Sequence, residues 1–145
     1  MTNRKKAIFF AALAGVFLID RLVKFIVLSG FRWDSEALSI TLVFNKGVAF
    51  SLFAFLGEWL KYIQLLIIVG VAVYAFAAKL LDRYFLPLAF VLGAGLSNVL
   101  DRFIHGGVVD YIHWHYWFDF PIFNFADVMI DTAVLLFLWI GIKKN

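Results

Sequence analysis

Long apolar runs dominate this chain, separated by mixed, charged or aromatic segments. A helix needs roughly 20 mostly apolar residues to cross the hydrocarbon layer of a bilayer. Four stretches reach that length: residues 7–28, 59–78, 85–104 and 122–142. The second is clean through its middle, whereas the other three carry charged residues toward one end. Residues 31–57 are mixed, residues 79–83 make a short charged turn, and residues 105–121 form a loop rich in aromatics. The pattern predicts an all-α integral membrane protein with four transmembrane helices, as a single membrane domain over residues 1–145.

Lys and Arg in short loops and flanks set the orientation of such a bundle. Arg4, Lys5 and Lys6 precede the first span, Lys79 and Arg83 separate the second and third, and Lys143 and Lys144 follow the fourth. With four spans these positions share one side. That side is expected to be cytoplasmic, so both termini lie inside and the two longer connections outside. Arg32 and Lys46 oppose this weakly. The basic start followed by an apolar run imitates a signal peptide, but no small-x-small cleavage site follows, and the segment reads as an uncleaved first span.

That topology places polar residues from distant parts of the chain at one depth. Asp20, Arg21 and Lys24 lie late in an outward span, as do Asn98, Asp101 and Arg102. Asn124, Asp127 and Asp131 lie early in the inward fourth span. All fall near the outer interface. Polar groups are expensive inside a membrane and usually mark a working site.

Both outer connections have character of their own. LSITLVFNKGVAFSLF has β-branched and aromatic runs on either side of Asn45-Lys46-Gly47, which suggests an extracytoplasmic β-hairpin with a short turn. Apolar strands there suit the interface, or edge pairing with an extended peptide. Tyr111, Trp114, Tyr116, Trp117, Phe118 and Phe120 suit the headgroup layer.

Composition agrees and removes alternatives. The 145 residues are 64% hydrophobic and 16% charged, with a mean hydropathy of +0.93. A soluble domain is nearer half apolar and a quarter charged. No cysteine is present, which excludes disulfides and thiolate chemistry. A net charge of +3 without a basic stripe gives nucleic-acid binding no support.

Several constellations carry chemistry. Asp110, in the strand-like GGVVDYI, and Asp127, in the first turn of the fourth span, are candidates for a catalytic carboxylate pair. Two close carboxylates share a proton because both cannot ionise cheaply, so one takes a proton from water while the other donates one. Alternatively Asp127 caps its helix, since Asn124-x-x-Asp127 has capping-box spacing, and Asp110 is a solvated loop residue. Asn98, Asp101 and Arg102 share a helix face, with Gly95 allowing a close neighbour; they are either a snorkelling arginine with local partners or a donor set for a substrate. Asp20 and Lys24, at i and i+4, predict a structural ion pair. His113 and His115 with Asp119 nearby invite a metal reading, but zinc sites usually take three protein ligands, and a wet aromatic loop accounts for them without metal. Asp131, one turn after Asp127, either repels it or bonds a neighbouring helix.

Five ordered blocks resemble one family. Asp20-Arg21-Leu22-Val23-Lys24 is similar to D-x-x-x-K, and Asn45-Lys46-Gly47-Val48-Ala49-Phe50-Ser51 to N-x-G-x-A-F-S. Ser97-Asn98-Val99-Leu100-Asp101-Arg102 resembles G-N-x-x-D-R, with Ser97 standing where the pattern has Gly, and Gly95-Leu96 where it has Ala-x. Val108-Val109-Asp110-Tyr111, after Gly107, is similar to the V-x-D-F/Y part of G-x-V-x-D-F/Y, and Phe123-Asn124-Phe125-Ala126-Asp127 to F-N-x-A-D. Their order on a four-span chain resembles signal peptidase II, the bacterial lipoprotein signal peptidase. The resemblance implies that Asp110 and Asp127 are the aspartyl dyad. It implies that Asn98, Arg102 and Asn124 contact substrate, with Asn45 also binding from an extracytoplasmic β-cradle. Asp20, Lys24, Gly47, Asp101 and Ala126 would support them. The implied activity is cleavage of a prolipoprotein just before its diacylglyceryl-modified cysteine, in the bacterial inner membrane and near its periplasmic face. No cofactor or metal is implied, inhibition by globomycin-type cyclic peptides is, and the expected form is a monomer in contact with membrane lipid. The rival readings are a small four-helix transporter, which would place a carboxylate near the midplane, and a non-catalytic relative that only binds lipopeptides.

Overall fold

The structure, a computed structural model, describes residues 1–47 and 54–143. In chain order its elements are α1 (Asn3–Leu28), β1 (Trp33–Asp34), β2 (Leu38–Asn45), a short 3-10 turn (Ala54–Leu56), α2 (Trp59–Ala77), α3 (Leu81–His105), β3 (Val108–Trp114) and α4 (Phe125–Ile142). Val48, Ala49, Phe50 and Ser51 of the second sequence block, and Lys144 of the basic flank, lie outside the described residues.

Three of these helices, α2, α3 and α4, are long and apolar enough to cross a membrane, with mean hydropathies of 2.0, 1.4 and 2.0. Their side chains point the same way: Leu66, Val73, Phe76, Leu135 and Trp139 are exposed around the bundle. Water would not tolerate an apolar surface that extensive, so lipid covers it and the chain is an integral membrane protein. α1 is the longest helix, at 26 residues, yet is not among the three. Its basic first turns and the Asp20, Arg21 and Lys24 cluster lower its hydropathy, although Phe10, Leu18, Leu22 and Phe25 on it are exposed like the faces of the other helices.

α3 is the central helix and packs against α1, α2 and α4. One apolar core joins Phe9, Ala75, Leu88, Ala89 and Leu92, and a second joins Val16, Ala94 and Ala126. Small residues on α3 let its neighbours approach. A Cβ on Gly93 would lie 2.6 Å from the carbonyl oxygen of Leu13, and one on Gly95 would lie 3.0 Å from Ile68 Cδ1. Gly95 therefore serves a close neighbour, as its position suggests, but Gly93 marks the tighter approach.

Element boundaries differ from the sequence reading in two places. Residues 79–83 do not form a separate turn throughout, because α3 already starts at Leu81 and departs from helical geometry only at Tyr84 (φ −111°, ψ 25°). Pro87 explains that kink, since it provides no N–H for the carbonyl four residues earlier and its ring crowds that group. Before α4, residues 122–124 are not helical. Phe123 forms an antiparallel bridge to Ile112, with its N–H donating to Ile112 O at 3.0 Å and its carbonyl accepting from Ile112 N at 2.8 Å.

β1, β2 and β3 form an antiparallel sheet in that order. The Asn45-Lys46-Gly47 turn exists locally, because Gly47 N–H donates to Asn45 Oδ1 at 3.0 Å. β2 finds its described partners elsewhere: β1 before it, and β3 from the other outer connection. Residues 38–45 are rich in β-branched positions, and pairing with β3 satisfies their backbone over most of the strand. Asn45 is opposite Val108 and Val43 opposite Asp110, with a bulge between Ile40 and Val43.

Gly93→Val is expected to lower stability by about 1–3 kcal/mol through overpacking against α1. Gly70→Ala is the matched change, with nothing within 4 Å of the added carbon, and should leave stability unchanged or raise it slightly. Thermal unfolding in detergent distinguishes them; equal melting temperatures would remove the close contact at Gly93.

Candidate active site

The chain reaches the site from four directions, and hydrogen bonding fixes each arrival. β3 carries Asp110, and the Ile112–Phe123 bridge lays the approach to α4 alongside it. Asn124 then caps α4 in extended geometry (φ −131°, ψ 177°). Its Oδ1 accepts from Asp127 N at 2.9 Å, and its own N–H donates to Asp127 Oδ2 at 3.1 Å, which completes a capping box. Asn124 also reaches across: its Nδ2 donates to Asp110 Oδ1 at 2.7 Å and to Asn98 Oδ1 at 3.2 Å. One buried asparagine thus touches both aspartates.

Each carboxylate oxygen accepts an amide N–H. Asp110 Oδ1 takes Asn124 Nδ2, and Asp110 Oδ2 takes Asn45 Nδ2 at 3.0 Å. Asp127 Oδ1 takes Asn98 Nδ2 at 2.9 Å, and Asp127 Oδ2 takes Asn124 N. An acceptor oxygen has further lone-pair capacity, so both groups keep room for a water or a substrate atom. Both line one cleft of about 880 Å³, walled by the end of β2, by α3, by residues 120–123 and by α4. Asp131 lines the same cleft from α4 and is exposed.

Burial, and after it the neighbouring Asp127 carboxylate, push the Asp110 carboxyl up to about 6; the amides of Asn45 and Asn124 and the charge of Lys24 pull the other way. A raised carboxyl favours its protonated form in the fold. Its contribution to stability is therefore fully present below the ordinary aspartate range and is lost as pH rises through about 6.

Under this pair lies a buried polar layer. Lys24 Nζ reaches Asp20 Oδ2 at 2.6 Å, Asp101 Oδ2 at 2.7 Å and Asn98 Oδ1 at 2.7 Å. Lys24, Asp20 and Asp101 are all shut away from solvent. An ammonium has three donors, and all three are used. Asp101 also pairs with Arg21 and accepts Val109 N at 3.1 Å, which ties α3 to β3 next to Asp110. Asp20 Oδ1 accepts Ala126 N at 3.0 Å, and Asp20 Oδ2 accepts Ser97 Oγ at 2.6 Å. Tyr111 Oη accepts Phe125 N at 3.0 Å. The first three N–H groups of α4, which no helix satisfies by itself, are met by side chains from β3, from α1 and from its own cap. Arg102 donates to the carbonyls of Asn45, at 3.3 Å, and Gly47, which fastens the end of β2 to α3.

A family model described as signal peptidase (SPase) II matches residues 12–143. The chain belongs to the signal peptidase II family. It is 64% identical over 125 residues to the lipoprotein signal peptidase of Wolinella succinogenes, covering 86% of each chain. It is 49% identical over 144 residues to that of Sulfurimonas denitrificans, covering 99% of this chain and 94% of the other. The fold is similar to a solved bacterial membrane enzyme with a TM-score of 0.81 at 25% identity, covering 94% of this chain and 88% of that one.

For this signal peptidase II chain the structure brings together Asp110, Asp127, Asn45, Asn98, Arg102, Asn124, Asp20, Lys24, Gly47, Asp101 and Ala126. Asp127 caps its helix, as the Asn124-x-x-Asp127 spacing suggests, and it also lines the cleft that Asp110 lines. Arg102 finds backbone carbonyls instead of an intrahelical partner. Tyr111 needs correction: it is 2% exposed and leaves the headgroup aromatics, because β3 is covered on both faces from Val108 to Tyr111. Tyr116, Trp117 and Phe118 stay exposed. His113 and His115 share a face, with ring centres 5.0 Å apart; His115 Nε2 meets Ser39 Oγ at 2.7 Å and His113 lies 3.6 Å from Asp119. Among the described residues no group of three or more His, Cys, Asp or Glu side chains is arranged to hold a metal.

Sequence reasoning missed Ser97 and Tyr111 as positioning groups. At Ser97 the hydroxyl adds a bond to Asp20 that the glycine of the family pattern has no atom to make. No local signal marks Tyr111, because β3 is buried on both faces from Val108 to Tyr111.

Asp127→Asn removes one of the two upward pushes on Asp110, so Asp110 is expected to titrate below about 6 in that variant. The carboxyl infrared band, assigned by its absence in Asp110→Asn, reports the midpoint. An unchanged or higher midpoint contradicts charge coupling between the two.

Proposed function

We propose that this chain is an aspartyl endopeptidase of the bacterial inner membrane that removes the signal peptide of prolipoproteins just before the diacylglyceryl-modified cysteine. Membership of the signal peptidase II family supports the substrate class. The observation that supports the catalytic type is Asn124: one side chain that bonds Asp110, while its backbone bonds Asp127, at the wall of a shared cleft.

The chemistry requires one carboxylate and one carboxylic acid. The ionised aspartate takes a proton from a water molecule, whose oxygen attacks the scissile carbonyl carbon. The protonated aspartate donates to the carbonyl oxygen as the tetrahedral intermediate forms. Collapse returns that proton to the dyad, breaks the C–N bond and delivers the other proton to the leaving nitrogen. General acid–base assistance of this kind contributes about 10²–10⁴-fold each. The raised Asp110 carboxyl suits a pair that holds one proton near neutral pH. Asn98, Arg102, Asn124 and Asn45 contact the substrate, and Asp20, Lys24, Asp101, Gly47 and Ala126 hold these groups in place.

The membrane arrangement follows from the same reading. α1 is a fourth span, its polar cluster accommodated by partners on α3 and α4. Both termini are cytoplasmic, and the sheet and the dyad lie at the outer face. A shallow site leaves acyl chains in lipid while the peptide enters between the end of β2, α3 and α4. Globomycin-type cyclic peptides would occupy the same cleft, and the enzyme would act as a monomer.

Asp110→Asn and Asp127→Asn should each cut cleavage of a lipidated precursor in bilayers by about a hundredfold or more, with folded protein retained. Turnover at the wild-type rate in either variant rejects the dyad. Because the chain lacks cysteine, topology is read by single substitutions in intact cells. Glu36→Cys and Trp117→Cys should react with an impermeant maleimide from outside, and Lys79→Cys should not; the reverse pattern inverts the orientation.

A further inference from the structure

Gln64 is the one carboxamide side chain in α2, whose sequence is otherwise apolar apart from Lys61 and two tyrosines. Among the described residues, two buried side-chain polar atoms lack a hydrogen-bond partner: Gln64 Oε1 and Arg102 Nε. One is an acceptor and the other a donor. Both residues line the cleft that holds Asp110 and Asp127. A buried polar atom without a partner costs about 1–3 kcal/mol, and native structures rarely keep one without a reason.

The rest of the site makes the pair conspicuous. Every carboxylate oxygen of Asp110 and Asp127 has an amide donor, and Lys24 uses all three protons. Arg102 spends its two terminal nitrogens on the carbonyls of Asn45 and Gly47, which leaves Nε as the open donor on a side chain only 5% exposed. Gln64 sits one turn before Ile68, whose side chain abuts Gly95 of α3, so its backbone is held where α2 meets the cleft. An extended peptide presents one N–H and one C=O per residue. An open acceptor and an open donor in one cleft match that demand.

We propose that Gln64 is a substrate-contacting residue whose Oε1 accepts a backbone N–H of the bound peptide, while Arg102 Nε donates to a peptide carbonyl of the same segment. This deepens the peptidase reading and rests on it. Gln64 takes no part in proton transfer; it sets how firmly the segment beside the scissile bond is held. The unpaired acceptor is a defect of the empty protein that the peptide repairs.

The test uses the full chain in lipid nanodiscs and synthetic peptides that span the cleavage site and carry a diacylglyceryl cysteine. One set has an unmodified backbone and the other a single N-methyl group at successive positions. Gln64→Leu keeps the bulk of the side chain and removes the acceptor; Gln64→Glu restores an acceptor. With the unmodified peptide, Gln64→Leu should raise KM about three- to tenfold, the range expected for one net hydrogen bond, and should leave kcat nearly unchanged. At one position N-methylation should weaken binding to wild type by a similar factor and add nothing in Gln64→Leu, because the two changes delete the same bond. The empty Gln64→Leu protein should melt at or above the wild-type temperature, whereas a merely structural glutamine would melt lower when replaced. Binding to Asp127→Asn, measured without turnover, should give the same ranking of peptides, so the contact is tested even if wild type does not cleave. An unchanged KM and Kd in Gln64→Leu overturns the proposal, as do N-methyl penalties that are equal in both proteins at every position, or a Gln64→Leu protein that loses its fold.

Discussion

Lys24 carries three ammonium protons and meets three acceptors on two helices: buried Asp20 on its own, and buried Asp101 and half-buried Asn98 on α3. An isolated charge has no tolerable place in an apolar bundle, whereas a fully partnered one is confined to a single geometry. This constraint propagates. Asp20 turns its other oxygen to Ala126 N at the start of α4; Asp101 turns its other oxygen to Arg21, while the oxygen that meets Lys24 also accepts Val109 N on β3. Asn98 donates to Asp127. Through Asp20, Asp101 and Asn98, one cation fixes α1, α3, β3 and the first turn of α4 relative to each other. Those elements bear or abut both aspartates.

The same layer explains why the site is built largely from amides. Carboxylates held by other charges would be locked in one protonation state. Amide donors orient each oxygen with less bias, and burial keeps Asp110 poised near neutrality with a carboxyl raised to about 6. The cationic layer is kept one step away: Lys24 reaches the dyad through Asn98, and Arg102 binds the backbone of the β2 end. A division results between a charged foundation, in which each ion has its partner, and a neutral upper rim that leaves lone pairs open to the cleft.

Much of this was legible before any coordinates. Helical lengths and the shared depth of Asp20, Lys24, Asn98, Asp101, Arg102, Asn124 and Asp127 follow from apolar periodicity and from where polar residues interrupt it. Asn124-x-x-Asp127 announced its cap. What stayed hidden depends on pairing between distant segments. No local signal tells β2 to pair with β3 in a three-stranded sheet; the second arm of the hairpin expected after Asn45-Lys46-Gly47 lies outside the described residues. The Phe123–Ile112 bridge, which lays the approach to α4 alongside β3, is one isolated pair with no sequence signature. Tyr111 looked like an interfacial aromatic because its neighbours are; its burial arises from elements that close over both faces of β3. Gln64 drew no notice inside a clean span, and only the absence of a partner marks it.

The confinement of Lys24 by Asp20 and Asp101 holds α1, α3 and α4 in the arrangement that brings Asp110 and Asp127 to one cleft. Its most direct test is the unfolding free energy of Lys24→Met compared with that of the triple variant Lys24→Met, Asp20→Asn, Asp101→Asn. Removing the cation alone leaves buried Asp20 without a counter-ion and Asp101 with Arg21 only, and should cost about 3–5 kcal/mol, while neutralising all three together should recover most of that loss. A Lys24→Met protein as stable as wild type, or a triple variant no more stable than the single one, would contradict it.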